Sequence, residues 1–172
     1  MASTLTTAIV ASVRNGMGLV ATRTFRPRQT IMKIVGRVVA ADVLWNRGGA
    51  FADNCFRFGP ETYLDPGNEN GRFVNHSCEP NAGIRKSNNQ LFLFAANPIA
   101  SGDEIVIDYS TILGDDDIWN MRCNCGTAAC RRTIRRFGSL PLALKRYYLR
   151  QGLVPKYIIS TLEQKVSEKV SE

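Results

Sequence analysis

The chain has 172 residues and a formal net charge of +7, and 44% of its residues are apolar. This length suits one compact domain with a core that needs no disulfides. No stretch approaches the roughly 20 apolar residues of a membrane helix, and residues 7–13 lack the preceding cationic region of a signal peptide. We therefore expect an intracellular protein, in the cytoplasm or nucleus, that makes no membrane contact.

Short apolar stretches separated by turn residues predict a mostly β chain. Residues 8–13 and 19–22 have the composition of strands, and Asn15-Gly16 between them is a strong hairpin-turn signal. A more helical composition at residues 40–52 predicts a small inserted segment. Further strands are expected at residues 30–39, 55–58, 91–96 and 104–109.

The C-terminal part is expected to be helical. Ser139 is placed to cap a helix that runs to Gly152, and Pro155 favours the start of a second short helix ending near Leu162. The last residues are polar, and we expect them to fray.

Three of the five cysteines form a Cys-x-Cys-x4-Cys cluster at Cys123, Cys125 and Cys130. An odd number argues against a disulfide framework, whereas crowded thiols are typical of metal ligands in a reducing compartment. Taken alone, the spacing leaves buried free thiols open as an alternative. Cys55 stands apart and is expected to be a small buried apolar residue.

Charged residues are unevenly distributed. The basic excess lies toward the C-terminus, at Arg131, Arg132, Arg135, Arg136, Lys145, Arg146 and Arg150. This face could contact nucleic acid, and the alternative is a solvated basic surface, because charge reports on association and not on fold. The acidic run Asp115-Asp116-Asp117 could attract a basic substrate peptide; otherwise it is a solvated loop.

Three uncommon motifs follow one another along the chain. The first is the polar block Arg72-Phe73-Val74-Asn75-His76-Ser77-Cys78-Glu79-Pro80-Asn81. Polar and apolar residues do not alternate in this block as they do in a strand. Its backbone groups must therefore find hydrogen-bond partners outside a sheet ladder. The second is Gly102-Asp103-Glu104-Ile105-Val106-Ile107-Asp108-Tyr109, and the third is the cysteine cluster.

In this order the motifs resemble a SET domain followed by a post-SET segment, the catalytic unit of a large class of protein-lysine methyltransferases. The resemblance covers roughly residues 8–132 and includes Asn15-Gly16-Met17-Gly18, which is similar to the family's N-terminal glycine motif. It implies a mainly β fold of small curved sheets with a knot-like core, plus a short C-terminal helical extension. It also implies methyl transfer from S-adenosylmethionine to the side-chain amine of a lysine in a protein substrate.

The resemblance suggests three regions. Residues 1–110 would be the SET domain, with a short insertion at about residues 40–62; residues 111–135 would be the post-SET segment, and residues 136–172 the helical extension.

The same resemblance implies the site residues. Gly16, Met17, Gly18, Arg72, Phe73, Asn75 and His76 would surround S-adenosylmethionine, with backbone groups of Asn75 and His76 reading the adenine edge. His76 is the single histidine of the chain, and we expect it to be a structural hydrogen-bonding residue and not an acid or base.

Tyr109 matches the family's catalytic tyrosine, and its phenol should act as a neutral, orienting hydrogen-bond group. On a strand, Ile107 would face the same side as Tyr109 and line the substrate channel beside the amine. Many family members have Phe or Tyr there. Because Ile has no hydroxyl to hold a water, dimethyl or trimethyl products should be sterically accessible.

Cys78 would join Cys123, Cys125 and Cys130 as the four ligands of a structural zinc ion, as the family commonly arranges them. The substrate is not specified by the sequence, although a histone is a reasonable expectation. Two other functions stay open at this point: a zinc-stabilised nucleic-acid-binding module, and a SET-like reader without catalysis.

Overall fold

The computed structural model describes residues 6–160, which form small, mostly antiparallel sheets and short helices. The strands are β1 (Thr7–Ala11), β2 (Met17–Ala21), β3 (Thr30–Ile34), β4 (Arg37–Ala40), β5 (Phe56–Gly59), β6 (Thr62–Asp65), β7 (Asn75–His76), β8 (Ala82–Ser87), β9 (Gln90–Ala95), β10 (Val106–Ile107), β11 (Met121–Arg122) and β12 (Thr133–Ile134). The helices are α1 (Ala41–Arg47), α2 (Gly49–Asp53) and α3 (Leu142–Gln151), and 3-10 turns span Asn70–Phe73, Tyr109–Ile112 and Phe137–Ser139. The prediction of a mainly β fold with a short C-terminal helical extension is confirmed.

Tight turns set the register of the hairpins. β1 pairs with β2 across a turn in which Gly16 has a φ of +53°, a left-handed conformation that glycine adopts without steric cost. Asn88 and Asn89 join β8 to β9 with φ of +47° and +55°, as a type I′ turn requires at both central positions. The first hairpin lies where Asn15-Gly16 predicted it.

Two three-stranded sheets form the body of the described chain, with strand orders β3-β9-β8 and β4-β6-β5. Helices α1 and α2 are inserted between β4 and β5, where the composition predicted a helical segment. The main core lies between these elements. Its least exposed side chains include Leu19, Ile84, Leu91, Leu93, Ile105 and Ile107.

A short parallel pair joins two of the sequence motifs. Asn75 lies opposite Val106 and His76 opposite Ile107, and Ser77 N donates to Ile107 O at 2.9 Å. The predicted strand over residues 104–109 is therefore wrong at its end, because the strand stops at Ile107. Asp108 turns the backbone by accepting a hydrogen bond from Ser110 N at 3.0 Å, and a 3-10 turn begins at the next residue.

The C-terminal helix begins later than predicted. Ser139 lies in a 3-10 turn and its hydroxyl donates to Arg136 O at 2.7 Å, so it does not cap α3, which follows Pro141. The helix ends at Gly152, whose φ of +68° is the expected left-handed C-cap. Residues 156–160 are helical, whereas the predicted end at Leu162 and the polar tail lie outside the described residues.

Helix α3 is attached to the rest of the fold through Tyr148. This side chain is 1% exposed within a second apolar cluster, and its hydroxyl donates to Asp108 Oδ2 at 2.8 Å. None of the helices in residues 6–160 has the length and apolar character needed to cross a bilayer.

The Tyr148 hydroxyl gives the first prediction. Tyr148→Phe keeps the ring but removes a donor from a buried carboxylate, so the free energy of unfolding should fall by about 1–3 kcal/mol. For a chain of this size that lowers the thermal midpoint by roughly 2–4 °C per kcal/mol, measurable by circular dichroism. Tyr147→Phe is the matched control, since Tyr147 is adjacent and 39% exposed; equal effects of the two changes would contradict the prediction.

Candidate active site and thiol cluster

Two cavities meet at Tyr109. The larger has a volume of about 300 Å³ and the smaller about 40 Å³. Within residues 6–160, Tyr109 is the one residue that lines both. The 3-10 turn that begins directly after Asp108 has Tyr109 at its first position, and the buried Ser110, Thr111 and Ile112 follow it.

Tyr109 is held at both its backbone and its hydroxyl. Its N–H donates to His76 Nδ1 at 3.1 Å, and its hydroxyl donates to Val74 O at 2.8 Å. Burial raises the pKa of the phenol above its ordinary value, with smaller contributions from Asp53 and Glu104. The phenol is therefore neutral at physiological pH, as the sequence analysis expected.

The smaller cavity has mainly aromatic and apolar walls, to which Asp53, Asn54, Arg57 and Arg72 add polar groups. Both tryptophans of the chain, Trp45 and Trp119, line it together with Tyr63, Tyr109 and other side chains. Trp45 packs edge-on against Tyr63 at 5.6 Å between ring centroids. Trp119 Nε1 donates to Asp53 Oδ1 at 2.7 Å, so the segment after the second motif is hydrogen-bonded to the end of α2.

The sequence did not predict that Trp45 and Trp119 line one cavity. Trp45 comes from the inserted helix and Trp119 from the segment before the cysteine cluster, so they are 74 positions apart (119 − 45) in the printed sequence. The one available signal was that tryptophan occurs only twice in the chain, each time outside the predicted strands.

The larger cavity is more polar, and only part of the predicted cofactor set lines it. Its walls come from the first hairpin, the polar block and the cysteine segment. They are Arg14, Asn15, Asn75, His76, Tyr109, Met121, Arg122, Asn124, Cys125 and Ile134. Asn75 and His76 are thus brought to this cavity, as is Asn15 of the predicted glycine motif, whereas Arg14 and Asn124 were not predicted.

The other predicted cofactor residues lie elsewhere. Gly16, Met17 and Gly18 belong to the adjoining turn and strand and do not line the cavity. Arg72 lines the smaller cavity, and Phe73 is half-buried against the main core. Both residues belong to the 3-10 turn over Asn70–Phe73, which lies against β2 of the first hairpin.

Glu104 connects the first hairpin to the polar block and was also missed. Its Oε1 accepts hydrogen bonds from Ser12 Oγ and Asn75 Nδ2, both at 2.8 Å, and its Oε2 lies 3.3 Å from Arg14 Nε. A Cβ at Gly18 would lie 2.4 Å from Glu104 Oε1, so glycine is needed there to leave room for the carboxylate. The Asn75 amide also donates to Met17 O at 3.0 Å.

Ile107, predicted to line the substrate channel, is not among the side chains that line either cavity, and its place in the channel stays a prediction. Its side chain is 0% exposed and belongs to the main core, against which Tyr109 packs from one side. The prediction assumed a strand that continues to Tyr109, in which Ile107 and Tyr109 would face the same side. The turn at Asp108 ends that alternation of side-chain directions.

The four predicted metal ligands lie close together. Cys78 Sγ is 3.8 Å from Cys123 Sγ, and Cys130 Sγ is 3.6 Å from Cys123 Sγ. In a tetrahedral site with Zn–S bonds near 2.3 Å, two sulfurs are separated by about 3.8 Å. Cys78, Cys123 and Cys125 are buried and Cys130 is half-buried. The donor set and the spacing therefore fit zinc.

The thiol cluster also contains a nitrogen. His76, Cys78, Cys123 and Cys125 have ligand atoms that all lie within 4.8 Å of one another, a set that includes His76 and not Cys130. Burial lowers the pKa of His76 to about 4 against a smaller opposing effect of Asp108, with Arg131 and Arg14 also lowering it, so the ring is neutral. Burial raises the pKa of the Cys78 thiol to about 11.

The acidic run is engaged in ion pairs. Asp117 is buried and pairs with the buried Arg57 at 2.9 Å, Asp116 pairs with the same guanidinium at 2.6 Å, and Asp115 lies 3.5 Å from Arg136. The Asp116 side chain is 49% exposed, so the run is only partly solvated, and its attraction of a basic peptide stays a prediction.

The basic face is also smaller than the sequence suggested. Arg131 turns inward and its guanidinium donates to Asp108 Oδ1 at 2.7 Å, while Lys145 Nζ donates to Gly138 O at 3.0 Å. The exposed members of the set are Arg132, Arg135, Arg136, Arg146 and Arg150. Cys55, predicted to be buried, is half-buried on the wall of the smaller cavity.

Comparisons with known proteins agree with this architecture. The family profile described as SET domain matches residues 16–110. The crystal structure of SUVH6 from Arabidopsis thaliana in complex with SAM aligns with a TM-score of 0.64 at 22% identity, over 77% of this chain and 33% of that one. This likeness establishes the fold.

Relatives with assigned activities include two proteins of Cryptococcus neoformans. A histone-lysine N-methyltransferase specific for H3 lysine 4 is 31% identical over 132 residues, which is 70% of this chain and 9% of that protein. A histone-lysine N-methyltransferase specific for H3 lysine 36 is 29% identical over 138 residues, which is 73% of this chain and 16% of that protein. The chain therefore spans less than a fifth of the length of either relative.

Glu104 gives the second prediction. Glu104→Ala removes the hydrogen-bond acceptor shared by Ser12 and Asn75 and the ion-pair partner of Arg14, so the free energy of unfolding should fall by about 1–3 kcal/mol. Glu61→Ala is the control, because Glu61 is exposed. Urea denaturation followed by fluorescence measures both changes, and a Glu104→Ala protein as stable as the Glu61→Ala protein would show that the carboxylate does not hold the hairpin.

Proposed function

The chain belongs to the SET-domain family, and from this membership we propose that it is an S-adenosylmethionine-dependent protein-lysine N-methyltransferase. In this proposal the larger cavity takes S-adenosylmethionine, the smaller cavity takes the side chain of the target lysine, and Tyr109 acts at their junction.

The observation that carries the proposal is the position of Tyr109. A transferase needs donor and acceptor sites that open onto one point, and here a polar cavity and a narrow aromatic cavity share one side chain. The hydrogen bond from the phenol to Val74 O fixes that side chain at the junction.

The aromatic cavity supports the chemistry required of the lysine. A lysine amine with an ordinary pKa near 10.4 is protonated at neutral pH and has no lone pair for attack. Apolar walls disfavour the ammonium form and lower the amine pKa. The walls near Tyr109, which include Trp119 and Leu113, would thus desolvate the amine, and the narrow volume would align it.

The residues of the larger cavity would bind and orient the donor. S-adenosylmethionine, when bound, supplies a methyl group on a cationic sulfonium. Asn75 and His76 line this cavity, and Glu104 holds the hairpin segment that contributes Arg14 and Asn15. The neutral phenol of Tyr109 would screen and orient the reacting groups without taking a proton as a strong base.

A structural zinc ion in the thiol cluster is part of the proposal. Cys78 comes from the polar block and Cys123, Cys125 and Cys130 follow the second motif, so a metal would join these two segments. Cys125 itself lines the larger cavity. Binding zinc would therefore fix one wall of the proposed cofactor site, in addition to stabilising the fold.

The relatives support a histone as substrate. Both Cryptococcus proteins are named for lysines of histone H3, and a histone substrate would place this chain in the nucleus.

The two other functions have less support. A nucleic-acid-binding module needs an extended basic surface, and Arg131 and Lys145 are engaged inside the fold. The remaining exposed arginines leave nucleic-acid contact as a secondary proposal. A reader without catalysis would not need a tyrosine shared by both cavities.

Tyr109→Phe gives the third prediction. Removing the hydroxyl should lower the rate of methyl transfer by at least about 100-fold, because orientation at the junction is lost. Binding of S-adenosylmethionine should persist. The measurement uses radiolabelled S-adenosylmethionine with histones and cell extract as acceptors, and calorimetry for the cofactor.

Tyr147→Phe, on the exposed part of α3, is the control and should keep its activity. Cofactor binding without label in the wild-type protein on any acceptor would favour the reader, and no cofactor binding with steeply salt-dependent DNA binding would favour the nucleic-acid module.

Metal content gives the fourth prediction. Protein purified with its thiols reduced should contain one zinc ion per chain by mass spectrometry, and Cys123→Ser should lose it and unfold at a lower temperature. Cys55→Ser should keep the metal, since Cys55 lies outside the cluster. Active wild-type protein without zinc would end the metal proposal.

A further inference from the structure

His76 lies between the thiol cluster and Tyr109. Its side chain is 7% exposed, and its two ring nitrogens face different partners. Nδ1 is 3.1 Å from Tyr109 N, and Nε2 is 3.4 Å from Cys78 Sγ. A single ring therefore contacts the junction of the cavities on one side and a proposed zinc ligand on the other.

The contact with Tyr109 decides the tautomer of the ring. A backbone amide can only donate, so Nδ1 must present a lone pair to it. A neutral imidazole with a lone pair on Nδ1 has its proton on Nε2. The other tautomer would need an acceptor at Nδ1, and the nearest carboxylate oxygen, Asp108 Oδ1, is 3.6 Å away, too far for a hydrogen bond.

The tautomer also identifies which group completes the metal site. By proximity His76 competes with Cys130 for the fourth position. A nitrogen that carries a proton has no lone pair for a metal, so Nε2 cannot be a ligand while Nδ1 accepts from Tyr109. Cys130 Sγ, 3.6 Å from Cys123 Sγ, then remains as the fourth ligand.

We propose that His76 is a positioning residue that connects the zinc site to Tyr109, with Nε2–H donating to the Cys78 thiolate and Nδ1 accepting from the Tyr109 amide. The inference depends on the zinc site of the proposed function. Arg131 N is also 3.4 Å from Cys78 Sγ, so this sulfur receives two N–H donors. Such outer-shell partners of metal ligands typically contribute roughly 10- to 100-fold to metal affinity.

The direct test is the protonation pattern of the ring. His76 is the only histidine of the chain, so a two-bond ¹H–¹⁵N spectrum of the zinc-loaded protein shows one imidazole without ambiguity. We expect protonated Nε2 and unprotonated Nδ1. The opposite pattern would overturn the proposal, because it would free Nε2 to bind the metal.

Substitutions test the consequence for the metal. His76→Phe keeps a ring but removes both hydrogen bonds, and it should bind one zinc ion roughly 10- to 100-fold more weakly in competition with a chromophoric chelator. His76→Gln can replace one donor and one acceptor and should recover part of that loss. It also provides a folded variant if His76→Phe does not fold.

The cobalt-substituted protein distinguishes a ligand from its partner. Cys130→Ser replaces a thiolate and should shift the absorption bands of bound Co²⁺, whereas His76→Gln should leave them as in the wild type. Equal shifts in the two variants, or wild-type zinc affinity in His76→Phe, would reject the role of His76 while leaving the zinc proposal intact. Wild-type protein that binds no zinc at all would instead reject the zinc proposal.

Discussion

The buried carboxylate of Asp108 organises the region around Tyr109. It is 1% exposed, and a charge removed from water in this way needs several donors to be tolerated. Oδ1 accepts from Ser110 N and from the Arg131 guanidinium, and Oδ2 accepts from the Tyr148 hydroxyl. These donors come from the 3-10 turn, the cysteine segment and helix α3, so one side chain holds three separate parts of the chain around the residue that follows it.

The contacts of Asp108 explain why both cavities include residues from outside 16–110, the range that matches the SET domain. The larger cavity takes Met121, Asn124 and Cys125 from the segment after the family match, and the smaller takes Leu113 and Trp119. Proposed metal ligands and cavity-lining residues lie side by side along this segment, and Cys125 is both. A bond that fixes Cys125 in the thiol cluster thus also fixes the neighbouring wall at Asn124.

The sequence predicted the features that short-range rules govern. The Asn15-Gly16 turn, the helical insertion and the crowding of the cysteines each follow from residue types at close spacing. It did not predict that the strand containing Ile107 stops after two residues, so the alternation that would place Ile107 and Tyr109 on one face does not continue to Tyr109. Glu104 was missed for a related reason: its partners Ser12, Arg14 and Asn75 are close to it only in the folded chain.

Three arginine–carboxylate pairs near the two cavities share one property. Arg14 with Glu104, Arg57 with Asp117, and Arg131 with Asp108 each join segments far apart in the sequence. Burying such a pair adds little net stability, because desolvation offsets the attraction, whereas losing one partner leaves a costly unpaired charge. An apolar contact persists when the two groups shift relative to each other, but a guanidinium and a carboxylate require a defined distance and angle. The pairs therefore contribute mainly to geometry, and they lie where geometry matters most: at the hairpin beside the larger cavity, at the wall of the smaller cavity, and next to Tyr109 between them.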